Sequence, residues 1–242
     1  MKSLIGILLF VFAFHTACCS NNEEGEYFEG DMELTEEQKI AIQMSIDGIP
    51  TYGATVYRNW PKRVPYVIDR NLGTKARDAI SSAIADYHKY TCLRFYPRRS
   101  ETAYLYFTTG SGCSSPVGYS GRINNIKLAS GCWYKGIVIH EIMHSLGFFH
   151  EQSRPDRDSH VDIIWANIPY DKRHNFKKYD TGTIKSGNSR YDYLSVMHYG
   201  RTAFGSGKVT IDAKNNYYDR KIGQRSGFSS EDVRQIRTKY GC

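Results

Sequence analysis

The chain has 242 residues, 40% of them hydrophobic, 14% aromatic and 24% charged. That is enough for one generous domain or two small ones, and it excludes long-range disorder and collagen-like repeats. The net charge of +7 is unevenly spread: residues 21–50 hold nine acids against Lys39 alone, for −8, while residues 51–242 carry +14. A basic body of this kind admits anionic partners without choosing among nucleic acid, polysaccharide, lipid and acidic protein.

Lys2 precedes an apolar run from Leu4 to Phe14, followed by the small residues Thr16, Ala17 and Ser20. This is the layout of a secretory signal peptide over residues 1–20, and the run is too short to span a bilayer. No later stretch is long enough either, so no transmembrane segment is expected. The simpler expectation is a secreted, extracellular protein. A second reading makes Cys18 a bacterial lipid-attachment site, with His15 standing where a leucine is usual.

Next, Thr35-Glu36-Glu37-Gln38 is a capping-box pattern that opens a short helix to about Met44. Asp47-Gly48-Ile49-Pro50 stops it where the charge switches sign, placing a boundary near residue 50. Val64 to Asp69 reads as a strand. Thr74 is expected to cap a helix whose Ala76, Ala79, Ile80, Ala83, Ile84 and Tyr87 share one face. Ala103, Leu105 and Phe107 alternate with tyrosines in a half-buried strand, and Gly110, Gly112, Gly118 and Gly121 mark loops around Cys113. A second helix runs from about Lys135 to Leu146 and stops at Gly147. Residues 151–228 show little periodicity before Ser229, with Asp232 three residues on, caps a final helix. Four cysteines lie in the body: Cys92, Cys113, Cys132 and Cys242. None has C-x-x-C spacing, so two disulfides are expected, with three pairings open.

His140-Glu141-Ile142-Met143-His144 sets two imidazoles on one helical face, roughly 6 Å apart along the axis, where both reach one ion. Gly147 can turn the chain so that His150 becomes a third ligand for one zinc ion. Three histidines alone could form a structural zinc site. Glu141 argues for catalysis, because a closed structural site has no use for it and a hydrolytic zinc needs a general base.

The stretch His140 to Asp158, HEIMHSLGFFHEQSRPDRD, matches the pattern H-E-x-x-H-x-x-G-x-x-H-E-x-x-R-x-D-R-D at every fixed position, and Ser195-Val196-Met197-His198-Tyr199 matches S-x-M-H-Y. On these residues the chain resembles the astacin family of metzincin zinc endopeptidases from about residue 51 to its C-terminus. The resemblance implies an α+β metzincin fold with two subdomains around a cleft. The upper would hold a twisted sheet and two long helices, the lower an irregular half ending in a helix. It also implies disulfides Cys92 to Cys242 and Cys113 to Cys132. A catalytic domain over residues 51–242 is expected, without the EGF-like and CUB modules that many relatives carry.

By the same resemblance His140, His144 and His150 bind zinc. Glu141 takes a proton from the zinc-bound water and returns it to the leaving amine, and Tyr199 is a switchable ligand that stabilises the oxyanion. Met197 forms a hydrophobic base. Glu151 pairs with the α-amino group exposed when a leader is removed, its alternative being an ordinary solvated glutamate. His88, His160, His174 and His198 have no motif support as ligands.

Phe28-Glu29-Gly30-Asp31 resembles the family's F-x-G-D propeptide motif, making residues 21–50 an inhibitory propeptide and Asp31 its zinc ligand. A cysteine switch from Cys18 or Cys19 is the rival. No Arg or Lys lies between Lys39 and Arg58, so self-cleavage or a protease unlike trypsin is the expected activator. The leading reading is a secreted zymogen of a zinc endopeptidase, a monomer acting on proteins or peptides and inhibited by its own propeptide, with no nucleic-acid partner. The alternative is a non-catalytic anion-binding surface protein with a structural zinc site.

Overall fold

The computed structural model describes residues 24–49, 58–179 and 189–242. The signal segment with Cys18 and Cys19, and the expected leader boundary at residue 50, lie outside the described residues. In chain order the elements are β1 (Met32–Glu33), α1 (Glu36–Ile46), β2 (Arg63–Ile68), α2 (Thr74–Tyr90), β3 (Arg94–Pro97), β4 (Leu105–Thr108), β5 (Cys113–Pro116), β6 (Asn124–Leu128), α3 (Lys135–Ser145), β7 (Val161–Ile163), β8 (Ile211–Ala213) and α4 (Ser230–Tyr240), with short 3₁₀ turns between α3 and β8.

Helix α2 buries the face read from its spacing, Ala76 to Tyr87, against α3 and the inner side of the sheet, where Val64, Phe95, Leu105, Phe107, Ile126 and Leu128 interleave. Its start differs from expectation. Thr74 is the first helical residue, and Gly73 occupies the cap position with no side-chain bond, so α2 is held by its buried face and not by its cap. Strands β6, β4, β2 and β3 are parallel; β5 runs antiparallel to β6 at one end. β5 lies in the stretch expected to be loop. Its glycines punctuate the flanks, and Ser114 and Ser115, polar but fully buried, conceal the strand pattern.

Beyond α3 the chain is largely turns, built around Phe176, Tyr191, Tyr199, Phe204 and Ile211 and the small β7–β8 sheet. The half is irregular but tightly bonded. Arg154, buried, donates to Glu151, Asp156 and Ser189, and Arg157 donates to the carbonyls of Gln152 and Phe176. The charged second part of the long motif is therefore a scaffold for backbone that has no helix or sheet to satisfy it. Gly136, near the start of α3, lets that helix touch the Arg225 backbone; a Cβ there would lie 1.9 Å from the Arg225 carbonyl oxygen.

The acidic N-terminal segment, residues 24–49, packs on this body in three ways. β1 adds to the edge of β5 in parallel register, Met32 opposite Ser115. Met32 and Ile42 pack with Val117, Phe149 and Tyr179, and Gln38 Nε2 donates to the Val117 carbonyl at 2.9 Å. Helix α1 opens with the expected capping box, Thr35 and Gln38 bonding reciprocally.

Both implied disulfides are present, Cys92–Cys242 and Cys113–Cys132. The first closes a separation of 150 residues and ties the end of α4 to the turn between α2 and β3. Replacing both of its cysteines by serine is expected to cost about 5 kcal/mol by chain-entropy reasoning. The check is a denaturant titration of the two forms, where coincident midpoints would remove the claim.

Candidate metal centre

Helix α3 carries His140 and His144 on one face, and both rings are fully buried. Gly147, at φ +87°, ends the helix in the left-handed region that disfavours a side chain, as its place in the sequence suggested. The chain then reverses, and Glu151 N donates to the Met197 carbonyl at 2.9 Å, which brings His150 under the helix. The Nε2 atoms of His140 and His144 are 3.0 Å apart. Asp31 reaches the same point from the acidic N-terminal segment, its Oδ2 3.0 Å from His140 Nε2 and its Oδ1 3.4 and 3.3 Å from the Nε2 atoms of His144 and His150.

The far side of each ring explains this convergence. His140 Nδ1 lies 2.6 Å from the Val196 carbonyl, His144 Nδ1 2.8 Å from the Phe148 carbonyl, and His150 Nδ1 2.7 Å from a carboxylate oxygen of Glu29. Each Nδ1 donates its hydrogen to an oxygen, so each Nε2 presents a lone pair inward. Converging lone pairs in a dry site repel unless a cation lies among them. Asp31 Oδ1 and His150 Nε2 are indeed buried without a hydrogen-bond partner, although they face each other. One ligand atom from each of Asp31, His140, His144 and His150 lies within 4.8 Å of all the others. Three imidazoles and a carboxylate suit tetrahedral zinc.

Burial pushes His144 down to about 4, the neutral form a ligand needs, whereas at His150 the carboxylates of Asp31 and Glu29 outweigh burial and raise it to about 9, a proton that an ion bound at this point would displace. Asp31 is held well below the carboxylate range: burial opposes ionisation, but His150 and His144 outweigh it.

The turn of Ser195 to Tyr199 supports the site from the other half. Asp232, inside α4, accepts from Ser195 Oγ at 2.6 Å, Val196 N at 3.1 Å and Ser229 N at 2.9 Å. It thereby caps its helix and fixes the carbonyl that holds His140. Sequence reasoning saw only the cap, because the second role depends on residues far away along the chain. Met197 is buried in the main core. His198 is buried, faces Tyr191 Oη at 2.7 Å and the Tyr199 carbonyl at 2.8 Å, and burial brings it down to about 4. It stands outside the group of Asp31, His140, His144 and His150.

Glu151 is buried, not solvated, and accepts from Arg154 at 3.1 Å and Asp192 N at 2.8 Å; burial lifts it to about 8 despite Arg154. Tyr199 packs its ring at a tilt against His150 and donates to the Glu29 carbonyl at 2.7 Å. Glu141, one residue after His140, is fully buried.

Residues 53–241 match the peptidase family Astacin. The chain belongs to the astacin family. It is 40% identical over 222 residues to zinc metalloproteinase nas-4 of Caenorhabditis elegans, covering 90% of this chain and 70% of that one. Meprin A subunit alpha of Rattus norvegicus is 42% identical over 185 residues, covering 76% of this chain but 25% of its own. The fold matches high choriolytic enzyme 1, a hatching enzyme zinc-protease of Oryzias latipes, with a TM-score of 0.70, 37% identity and coverage of 77% and 94%. This astacin-family chain is thus a zinc metalloendopeptidase with the metzincin fold, and zinc is its cofactor.

Asp232→Ala tests the support of the site. It should lower stability by about 3 kcal/mol, the scale of losing bonds to a buried charge. It should also weaken zinc binding by about tenfold or more, as loss of outer support does. Competition with a chromophoric chelator measures the second effect; unchanged affinity would separate the Ser195–Tyr199 turn from the ligands.

Proposed function

We propose that the chain is the latent, exported form of this endopeptidase, with His140, His144 and His150 holding one zinc ion, Asp31 filling its fourth position and residues 21–50 acting as the inhibitory leader. The observation that carries this reading is the placement of Asp31, fully buried and within hydrogen-bond distance of His140 at the centre of the histidine group. Gly30 at φ +87° and the bonds from Gly30 N to Tyr27 O and from Met32 N to Phe28 O form the tight turn that drives the carboxylate inward. Leader removal would separate Asp31 from the histidines and leave a position for substrate and water.

Zinc held there supplies a Lewis acid for the scissile carbonyl and makes water acidic enough to lose a proton near neutral pH. Glu141, next to His140 on the same helix, accepts that proton and delivers it to the departing amine. Tyr199 supplies an O–H donor for the developing oxyanion. Its present bond to the Glu29 carbonyl supports this role, since the hydroxyl already addresses a peptide oxygen in the cleft. The buried Glu151 carboxyl, which accepts from Arg154 and from Asp192 N, holds the backbone next to His150. Its meeting with a new α-amino group would follow cleavage between the leader and Arg58. Two disulfides support export, and among the described residues no helix is long and apolar enough to cross a membrane. The processed body is expected to act as a monomer on proteins or peptides.

In processed protein, Glu141→Gln should retain one zinc per chain and lose casein hydrolysis by at least about a hundredfold. Full hydrolysis by that variant would overturn the role of Glu141. In unprocessed protein, Asp31→Ala should hydrolyse casein without leader removal, while Cys18→Ala and Cys19→Ala remain latent. Activity confined to a cysteine variant would replace Asp31 by a thiolate.

A further inference from the structure

Helices α2 and α3 pack on the inner side of the sheet, away from its outer side. Strand alternation puts Arg63 and Val67 of β2, Arg94 and Tyr96 of β3, Tyr106 of β4 and Lys127 of β6 on that outer side. Pairing sets Arg63 level with Arg94 and Val67 level with Tyr106. Two guanidinium groups lie on tyrosine rings here, Arg63 Cζ 5.0 Å from the centre of Tyr96 and Arg98 Cζ 4.4 Å from the centre of Tyr104. Tyr104 meets Tyr106 edge-on at 6.5 Å.

The two acids on this side are committed elsewhere. Asp69 accepts from the Tyr106 hydroxyl, and Glu101 accepts from the Tyr96 hydroxyl and from the backbone of Arg99 and Ser100. They fix the rings and leave the arginines alone. Arg63, Arg94, Arg98 and Arg99 are exposed, and among the described residues none of them makes an ion pair. Arg154, Arg157, Arg201 and Arg234 each have one. At the far border Lys127 Nζ already holds an anion of the chain itself, Glu33 at 3.0 Å, and donates to the Tyr27 hydroxyl at 2.7 Å.

We infer that this face is a docking surface for a sulfated polysaccharide, gripped chiefly by Arg63 and Arg98. It gives a local ligand to the +14 of residues 51–242, which peptide hydrolysis does not require. A guanidinium group is weakly hydrated and presents a fork of donors that matches a tetrahedral oxyanion, while the ring beneath holds it in place. The same caps disfavour nucleic acid. Single strands bind by stacking bases on open aromatic faces, and Tyr96 and Tyr104 carry arginines there instead. Helix α3, with its histidines, lies on the other side of the sheet, so a polymer bound here would anchor the protein without entering the metal centre.

Binding is measured on the full chain, by surface plasmon resonance over immobilised heparin at about 0.15 M salt. Desulfated heparin should bind at least about tenfold more weakly. Arg63→Gln combined with Arg98→Gln should lose about tenfold or more. Lys177→Gln combined with Lys208→Gln removes the same charge from exposed positions of the lower half and should lose less than about twofold. Arg98 Nε also donates to the Glu101 carbonyl at 2.7 Å, so Arg63→Gln alone, which should lose severalfold, serves if the double variant fails to fold. Equal losses in the two double variants would reduce the effect to net charge and overturn the inference. So would equal binding of desulfated heparin, or single-stranded DNA held as tightly through the same two arginines. None of these results bears on the peptidase reading, which hydrolysis decides.

Discussion

Three imidazole lone pairs aimed at one point in a dry interior are the constraint on which the structure depends. Nothing in a protein core favours that arrangement by itself, because lone pairs gain nothing from one another and lose their water. It holds only if each ring is clamped from behind. The clamps come from three places: the Val196 carbonyl from the lower half, the Phe148 carbonyl from the turn after α3, and the Glu29 carboxylate from the leader. The upper sheet and α2 serve this end indirectly, as the rigid block against which α3 is held. The Tyr87 hydroxyl donates to the Ile139 carbonyl and the Trp60 indole to the Ser145 carbonyl, one either side of the first two histidines.

The lower half shows how a stretch without regular elements can be as exact as a helix in positioning atoms. Where no ladder satisfies the backbone, buried guanidinium groups do so. Arg154 and Arg157 are among the most costly residues to bury, and both are satisfied by carboxylates, hydroxyls and carbonyls of their own subdomain. Asp232 does the corresponding work between two parts of the same half, where one carboxylate serves a helix terminus and the turn of Ser195 to Tyr199.

Much of this was legible in the sequence where the cause is local. Helical spacing gave the buried face of α2, reciprocal caps gave the starts of α1 and α4, and His140, His144, Gly147 and His150 declare their geometry by offset alone. Short strands were less so. β5 is four residues long with two buried serines, and β6 begins with a buried asparagine whose amide is used up by Gly118 and Ser120. β5 does not alternate at all, and β6, which does alternate in burial from Asn124 to Leu128, hides it by placing a polar residue at its first buried position. Least visible were residues whose meaning lies in a distant partner. Glu29 reads as one acid among nine, and only its meeting with His150, 121 residues on, distinguishes it from the solvated glutamates around it. Gly136 likewise gave no signal, since its reason is the passage of the Arg225 backbone.

The two-residue strand β1 has an effect out of proportion to its length. It covers the outer edge of β5, and β5 is the end strand of the body's own sheet. On the proposed reading, processing would uncover this edge along with the metal site, leaving a row of backbone donors and acceptors open to any extended chain. Open edges of that kind are where sheets of separate molecules join. Activation would then bring a colloidal cost: the same event that admits substrate would start a competition between productive pairing and self-association, setting a limit on how concentrated the working enzyme can usefully become.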